Sequence, residues 1–239
     1  NQLRRDSLGV GAITFLVVSA AAPLTAVAGG VPLAMLLGNG AGVPAAFLLV
    51  TLILLLFSIG YVAMSRYITR AGAFYTYTST SFGGAWGSVA ALIAILAYNC
   101  MQIGLYGLFG AATASFFSGL GINLPWWVWS YLAIALVAVL GYRSIDLSTK
   151  ILGSLVLAEY AIVMIVDAAI AFKGGAQGLS LSDSFSPGAF FSGSPAIGIL
   201  FCFAAFIGFE STTIYREEAR NPTVTVPRAT YISVLIIGV

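Results

Sequence analysis

The stretch Phe203–Pro222, FAAFIGFESTTIYREEARNP, decides how this chain is read. Its first half is small and apolar, yet Glu210 sits inside it. Its second half turns abruptly into Arg216, Glu217, Glu218 and Arg220. A carboxylate at the middle of a bilayer costs about 2.5–3.5 kcal/mol on insertion scales. A helix break at Gly208 gives it a reason to be there, because irregular backbone survives at that depth only where it lines a cavity or is buried in protein. The helix N-terminus beyond a break favours a carboxylate, and the carbonyls freed before it favour an ammonium or a cation.

The rest of the chain supplies the membrane. Its 239 residues are 60% hydrophobic and only 8% charged, with a mean hydropathy of +1.02. Soluble domains carry about 25% charged residues, so this chain cannot cover a water-facing surface. Apolar runs recur at roughly 9–37, 41–63, 85–118, 126–142, 147–172 and 191–214, with a seventh opening near Arg228. The runs are continuous and not period-two, which argues for helices over a barrel. The reading is an all-α polytopic membrane protein. A net charge of +2 with no basic cluster gives no sign of a nucleic-acid partner. With no His in the chain, histidine metal sites and histidine proton relays are excluded. No acid pair at metal-binding spacing lies within a span, which leaves an intramembrane enzyme unsupported. Cys100 and Cys202 read as packing residues. No metal or cofactor is expected. The chain starts at Asn1 and stops inside an apolar run, SVLIIGV, which suggests the N-terminal part of a longer protein.

Basic residues orient the spans. With the N-terminus inside, nine of the ten Lys and Arg fall on the cytoplasmic side, among them Arg66, Arg70, Arg216 and Arg220. Lys173 alone falls outside. Trp126, Trp127 and Trp129 cluster at an expected outer interfacial belt. The first segment, about 29 residues long, would span roughly 43 Å as one helix against about 30 Å of hydrocarbon. Its middle, SAAAPLTAVAGGVP, carries Pro23, Gly29, Gly30 and Pro32, each of which discourages an unbroken helix. Segments one and six are five apart. Interrupted segments in corresponding positions of two halves point to an inverted-repeat transporter with its site at the breaks. Two such breaks side by side suit a zwitterion such as an amino acid.

The motif GFESTTIYREEARNPTVTVPRA resembles the sixth-segment signature of the amino acid–polyamine–organocation superfamily of permeases. The matching positions are Gly208, Phe209, Glu210, Glu217, Glu218, Asn221, Pro222, Pro227, Arg228 and Ala229. A second stretch, RYITRAGAFYTYTSTSFG, resembles the family's loop between segments two and three, at Ala71, Gly72, Ala73, Tyr75 and Tyr77. The resemblance implies a leucine-transporter-like fold of two inverted five-helix repeats. The chain would then be one transmembrane domain over 1–239, with the first repeat at about 9–172 and the start of the second at about 191–239. It also implies substrate contacts at the breaks. The Ala204 and Ile207 carbonyls would take the amine, with Phe203 or Phe206 near the substrate. Pro23 marks the other break, where the backbone around Thr25, Ala26 and Val27 would take the carboxylate. Many relatives have G-x-G at that break, whereas this chain reads APLTAVAGG.

Function follows as expectation: secondary-active transport of an amino acid or related amine across the cell membrane by alternating access, with protons as the coupling partner. An exchanger or facilitator, or a membrane scaffold or channel, is the alternative. Glu210 is either a gating carboxylate or a structural acid bonded to freed amides. Glu159, in SLVLAEYAIVMIV, is either a proton-coupling site or a neutral acid bonded to a neighbouring helix. Asp167 reads as an interfacial residue. Tyr98, Asn99 and Gln102, with Tyr106, form a polar stripe that either lines the path or bonds between helices. Arg66, Arg70, Glu217 and Glu218 are either an inner gate or a solvated cluster.

Overall fold

The computed structural model describes residues 7–68, 72–143, 145–174 and 180–238, with side chains described outside 143–152 and 181. The chain begins with α1 (Val10–Ala21), α2 (Pro23–Thr25), a π turn (Ala26–Gly30) and α3 (Val31–Leu37). A 3-10 turn (Gly40–Gly42) leads into α4 (Val43–Tyr67), α5 (Ala73–Phe82), α6 (Gly84–Ser118), α7 (Trp126–Arg143) and α8 (Ile145–Lys173). The short α9 (Leu181–Ser184) and α10 (Pro187–Phe190) precede α11 (Pro195–Ala205), a 3-10 helix (Phe209–Glu217) and α12 (Pro222–Gly238). Among the described residues the only β pairing is an isolated parallel bridge between Leu8 and Ala219. Five stretches are long and apolar enough to cross a membrane: Val10–Leu37, Gly40–Tyr67, Gly84–Ser118, Gly153–Lys173 and Pro195–Glu217. The protein is an all-α polytopic membrane protein.

Three boundaries differ from expectation, each for a local reason. The seventh segment opens at Pro222 and not near Arg228. Asn221 adopts φ 53° and its carbonyl accepts from Val224 N and Thr225 N at 2.9 Å, while proline at a first helical position loses no bond. The second family motif is mostly helix and not loop: α5 starts right after Gly72 and buries Ala73, Thr76 and Tyr77. The sixth segment starts at Pro195, and the residues before it form α9 and α10.

The contacts divide the chain into two compact units. One comprises 1–87 and 158–239, the other 88–157. The first holds a core of Ile13 and Val17 from α1, Val43 and Val50 from α4, Cys202 and Phe206 at the end of α11, and Val226 and Val234 from α12. Lipid tails are as apolar as these side chains, so close packing and interhelical hydrogen bonds hold such helices together. Small residues permit the approach: a methyl added at Gly198 would fall 2.3 Å from the Asn39 Oδ1. Around Asn39, its Nδ2 donates to the Phe190 carbonyl at 3.2 Å and Ser194 N donates to the Gly38 carbonyl at 3.0 Å. These bonds tie the end of α3 to the start of α11, which fixes segments one and six against each other. In the second unit, Phe117 stacks on Trp129 at 4.5 Å and Ser130 Oγ donates to the Tyr106 carbonyl at 2.8 Å.

Candidate functional site

The first break falls at Ala22, whose φ 48° and ψ 72° are left-handed. A residue before proline is kept out of the ordinary α region, and Pro23 has no N–H with which to continue the helix. The Leu24 amide is thereby freed, and it donates to Glu159 Oε1 of α8 at 2.6 Å. Four residues on, the glycines expected to break the helix are absorbed into the π turn Ala26–Gly30, closed by Val31 N donating to the Ala26 carbonyl. Pro32 follows at once and cannot serve the carbonyl one turn back, which accounts for the wider turn at this place.

The second break falls at Gly208, with φ 103°, a region that disfavours residues with a side chain. α11 ends as Ile207 N turns to the Ala204 carbonyl at 3.2 Å. The freed Gly208 amide donates to Glu210 Oε2 at 3.1 Å. The chain resumes as a 3-10 helix. The two breaks abut: a methyl at Gly208 would lie 3.1 Å from the Ala20 Cβ. Each break thus presents one freed amide, and each amide is bound by a carboxylate from this chain. For Glu210 this is a bond to the amide freed at its own break. For Glu159 it is a bond to a neighbouring segment, in which the carboxyl is the acceptor.

Beside the first break lies a cavity of about 340 Å³. Val18, Ala21, Pro23, Ala26, Val27 and Val31 line it from segment one, and Ala205 from the end of α11. Tyr160, Val163, Met164 and Asp167 line it from α8, at a spacing that is one helix face. Phe47, Ile236 and Ile237 complete it. Of the residues expected to bind substrate, the structure brings Pro23, Ala26 and Val27 to this cavity. Thr25, Phe203, Ala204, Phe206 and Ile207 are not in its lining. Phe206 is buried against Phe47, ring centroids 6.4 Å apart. The α8 face could have been found from its i, i+3, i+4, i+7 recurrence. Phe47, Ile236 and Ile237 carry no signal that separates them from any other apolar position.

Below Glu210 a polar network joins three elements. The Tyr61 hydroxyl donates to the Glu210 carbonyl at 2.8 Å and lies 2.6 Å from Thr213 Oγ1. Arg216, 7% exposed, donates through Nη1 to the Ser65 carbonyl. Tyr77 of α5 packs on Tyr61 at 5.2 Å, and burial pushes its hydroxyl above its ordinary value, so it stays protonated. Among the described residues no ion pair joins Arg66 to Glu217 or Glu218, and both Arg66 and Glu217 are exposed. Arg70 lies outside the described residues. The buried cation here is Arg216, which the sequence placed only among the basic residues of the cytoplasmic side. In the second unit, Tyr98, Asn99 and Gln102 are exposed. Asn99 Nδ2 donates to the Ile95 carbonyl at 2.8 Å, and Gln102 Nε2 donates to the Tyr106 hydroxyl at 3.4 Å.

Comparison with known proteins agrees with this architecture. The chain is similar to the branched-chain amino acid permease BcaP of Lactococcus lactis subsp. cremoris (strain MG1363), 28% identical over 214 residues, which are 82% of this chain and 46% of the relative. It is also similar to the BcaP of Bacillus subtilis (strain 168), 24% identical over 217 residues, 82% of this chain and 45% of the relative. The chain therefore spans about half the length of these relatives. No solved structure matches it. The pattern that describes the amino acid permeases matches residues 17–239, a range that takes in both helix breaks, the α8 carboxylate and the charged stretch after Glu210. The chain belongs to the amino acid permease family.

Proposed function

We propose that the complete protein moves aliphatic amino acids across the cell membrane by secondary-active, alternating-access transport coupled to protons. The carrying observation is the pair of abutting helix breaks, each with a freed amide held by a carboxylate. Broken helices at mid-depth are where such transporters bind substrate. In this reading the chain holds the first of two inverted repeats and the start of the second. The substrate carboxylate meets segment one around Thr25, Ala26 and Val27, and its amine meets the Ala204 and Ile207 carbonyls. A family of permeases is a family of transporters and not of enzymes. The branched aliphatic lining of the cavity and the printed names of the two relatives favour leucine-like side chains.

Glu159 is the proposed coupling group. Its carboxyl reaches from α8 to the Leu24 amide across 135 residues of sequence, so a proton gained or lost there bears on the break itself. By the positive-inside distribution the N-terminus lies in the cytoplasm. The protein needs no cofactor in this reading, and its partners are substrate, protons and lipid.

The test is uptake of labelled amino acids and amines by proteoliposomes of the complete permease, with and without an inward proton gradient, beside Glu159→Gln. Gradient-stimulated uptake of aliphatic amino acids, with the stimulation lost in the variant, is expected. Uptake indifferent to gradient and variant would leave an exchanger or facilitator and remove Glu159 from coupling. No uptake of any panel member would overturn the transport reading.

A further inference from the structure

The cavity beside the first break carries one feature that transport at the breaks does not use. Of its fourteen lining residues, twelve are apolar, one is Tyr160 and one is Asp167. Asp167 makes no hydrogen bond or ion pair among the described residues. The elements that face it across the cavity contribute Val18, Val27, Val31, Phe47, Ile236 and Ile237 among others, and no cation. Asp167 is exposed, and it puts a carboxylate at the wall of an otherwise apolar cavity, where a ligand group of opposite charge is favoured over a neutral one. Asp167 lies seven residues beyond Tyr160 on α8, about 10 Å along the helix. Tyr160 is next to Glu159, which is bound at the break. The lining of the cavity therefore includes both Pro23 at the break and the Asp167 carboxyl, with aliphatic residues making up most of the rest.

We propose that Asp167 receives the ammonium group of an aliphatic substrate as it enters this cavity, and so sets the preference for ligands that carry that charge. The inference rests on the transport reading above and adds to it a station ahead of the Ala204 and Ile207 carbonyls. The ligand class is an aliphatic compound with one protonated amine. An ammonium at Asp167 neutralises the only formal charge on the cavity wall, while its apolar body lies against Val27, Val163 and Ile236. A neutral or anionic analogue of the same shape gains the second contact and not the first. Discrimination at this point acts on capture and not on the later steps of transport.

The experiment is initial-rate uptake of labelled L-leucine by proteoliposomes of the complete permease, wild type against Asp167→Asn and Asp167→Glu. The competitors are unlabelled leucine and its 2-hydroxy analogue, which replaces the amine by a hydroxyl. Loss of a charge-assisted contact corresponds to about a tenfold effect. In Asp167→Asn the KM for leucine is expected to rise about tenfold with an unchanged maximal rate. The ratio of inhibition by leucine to inhibition by the hydroxy analogue should shrink by the same factor. Asp167→Glu should keep both near wild type. An unchanged KM, or a raised KM with an unchanged ratio, would overturn the proposal and leave Asp167 as a hydrated carboxylate or a packing residue. If Asp167→Asn does not reach the membrane, Asp167→Ser is measured against Asp167→Glu, and equal KM values for the two would overturn it. Wild-type protein that takes up no aliphatic amino acid fails at the transport reading itself, and this inference falls with it.

Discussion

At the scale of the residue, Gly208 and Tyr61 hold the second break. Gly208 has φ 103° and faces the Ala20 Cβ. An alanine there meets both the left-handed backbone and a close neighbour, at about 1–2 kcal/mol for the backbone alone. Gly208→Ala is expected to lower the thermal midpoint of the detergent-solubilised permease and to depress uptake; an unchanged midpoint would show that the break tolerates a side chain. Tyr61 acts through its hydroxyl, which bonds the Glu210 carbonyl and meets Thr213. Tyr61→Phe keeps the ring packing on Phe74 and Tyr77 and should cost about 1 kcal/mol, read in the same melting assay. The sequence made Glu210 legible, because a mid-span acid after glycine in a family motif has few explanations. It did not make Tyr61 legible. A tyrosine among apolar residues looks the same whether its hydroxyl meets a carbonyl 149 positions away or snorkels to the membrane surface.

At the scale of the element, the broken segments divide their causes between local and tertiary terms. Prolines 23 and 32 announce themselves, and the first interruption falls where Pro23 sets it. The sequence also marked Gly29 and Gly30 as breakers, yet both lie within the π turn. Glycine weakens a helix without dictating its end, and the neighbours here complete the turn. The 3-10 form of Phe209–Glu217 was not legible at all. Its 3-10 winding coincides with contacts to α1, α4, α5 and α12, and no local propensity encodes those. Arg216 is one of them. Its bond to the Ser65 carbonyl pins the end of the 3-10 helix to the end of α4. Ser65 itself is fully buried. Arg216→Ala removes the pin and takes this donor from that carbonyl. A cysteine placed at Ser65 should then react with a water-soluble maleimide at least several-fold faster than in the Arg216 background. Equal rates would mean that the two helix ends stay together without the guanidinium.

At the scale of the whole molecule, membrane class and segment order were legible from hydropathy and from the spread of basic residues, since bilayer thickness fixes span length. The runs expected at 85–118 and 126–142 agree with α6 and α7 within about two residues. What was not legible is which helix faces meet, because in a chain this apolar nearly every face is hydrophobic and periodicity loses its contrast. The cavity lining from α12 and α4 illustrates this. Topology remains checkable directly. Single cysteines at Tyr67 and at Gly174, in a chain otherwise free of cysteine, are expected to label from opposite sides of sealed vesicles. Labelling from one side would break the count of spans between them.

The bond between Leu24 and Glu159 has a consequence in time. Leu24 emerges from the ribosome 135 residues before its acceptor does. At a synthesis rate of about 5–20 residues per second, the first broken helix waits roughly 7–27 seconds with an open amide. Lipid offers that amide no acceptor. During the interval the segment must stay against water, the insertion machinery or a chaperone, and it can settle into its final place only after the fifth span has been made. The protein's first segment therefore cannot complete this contact until the fifth has been made.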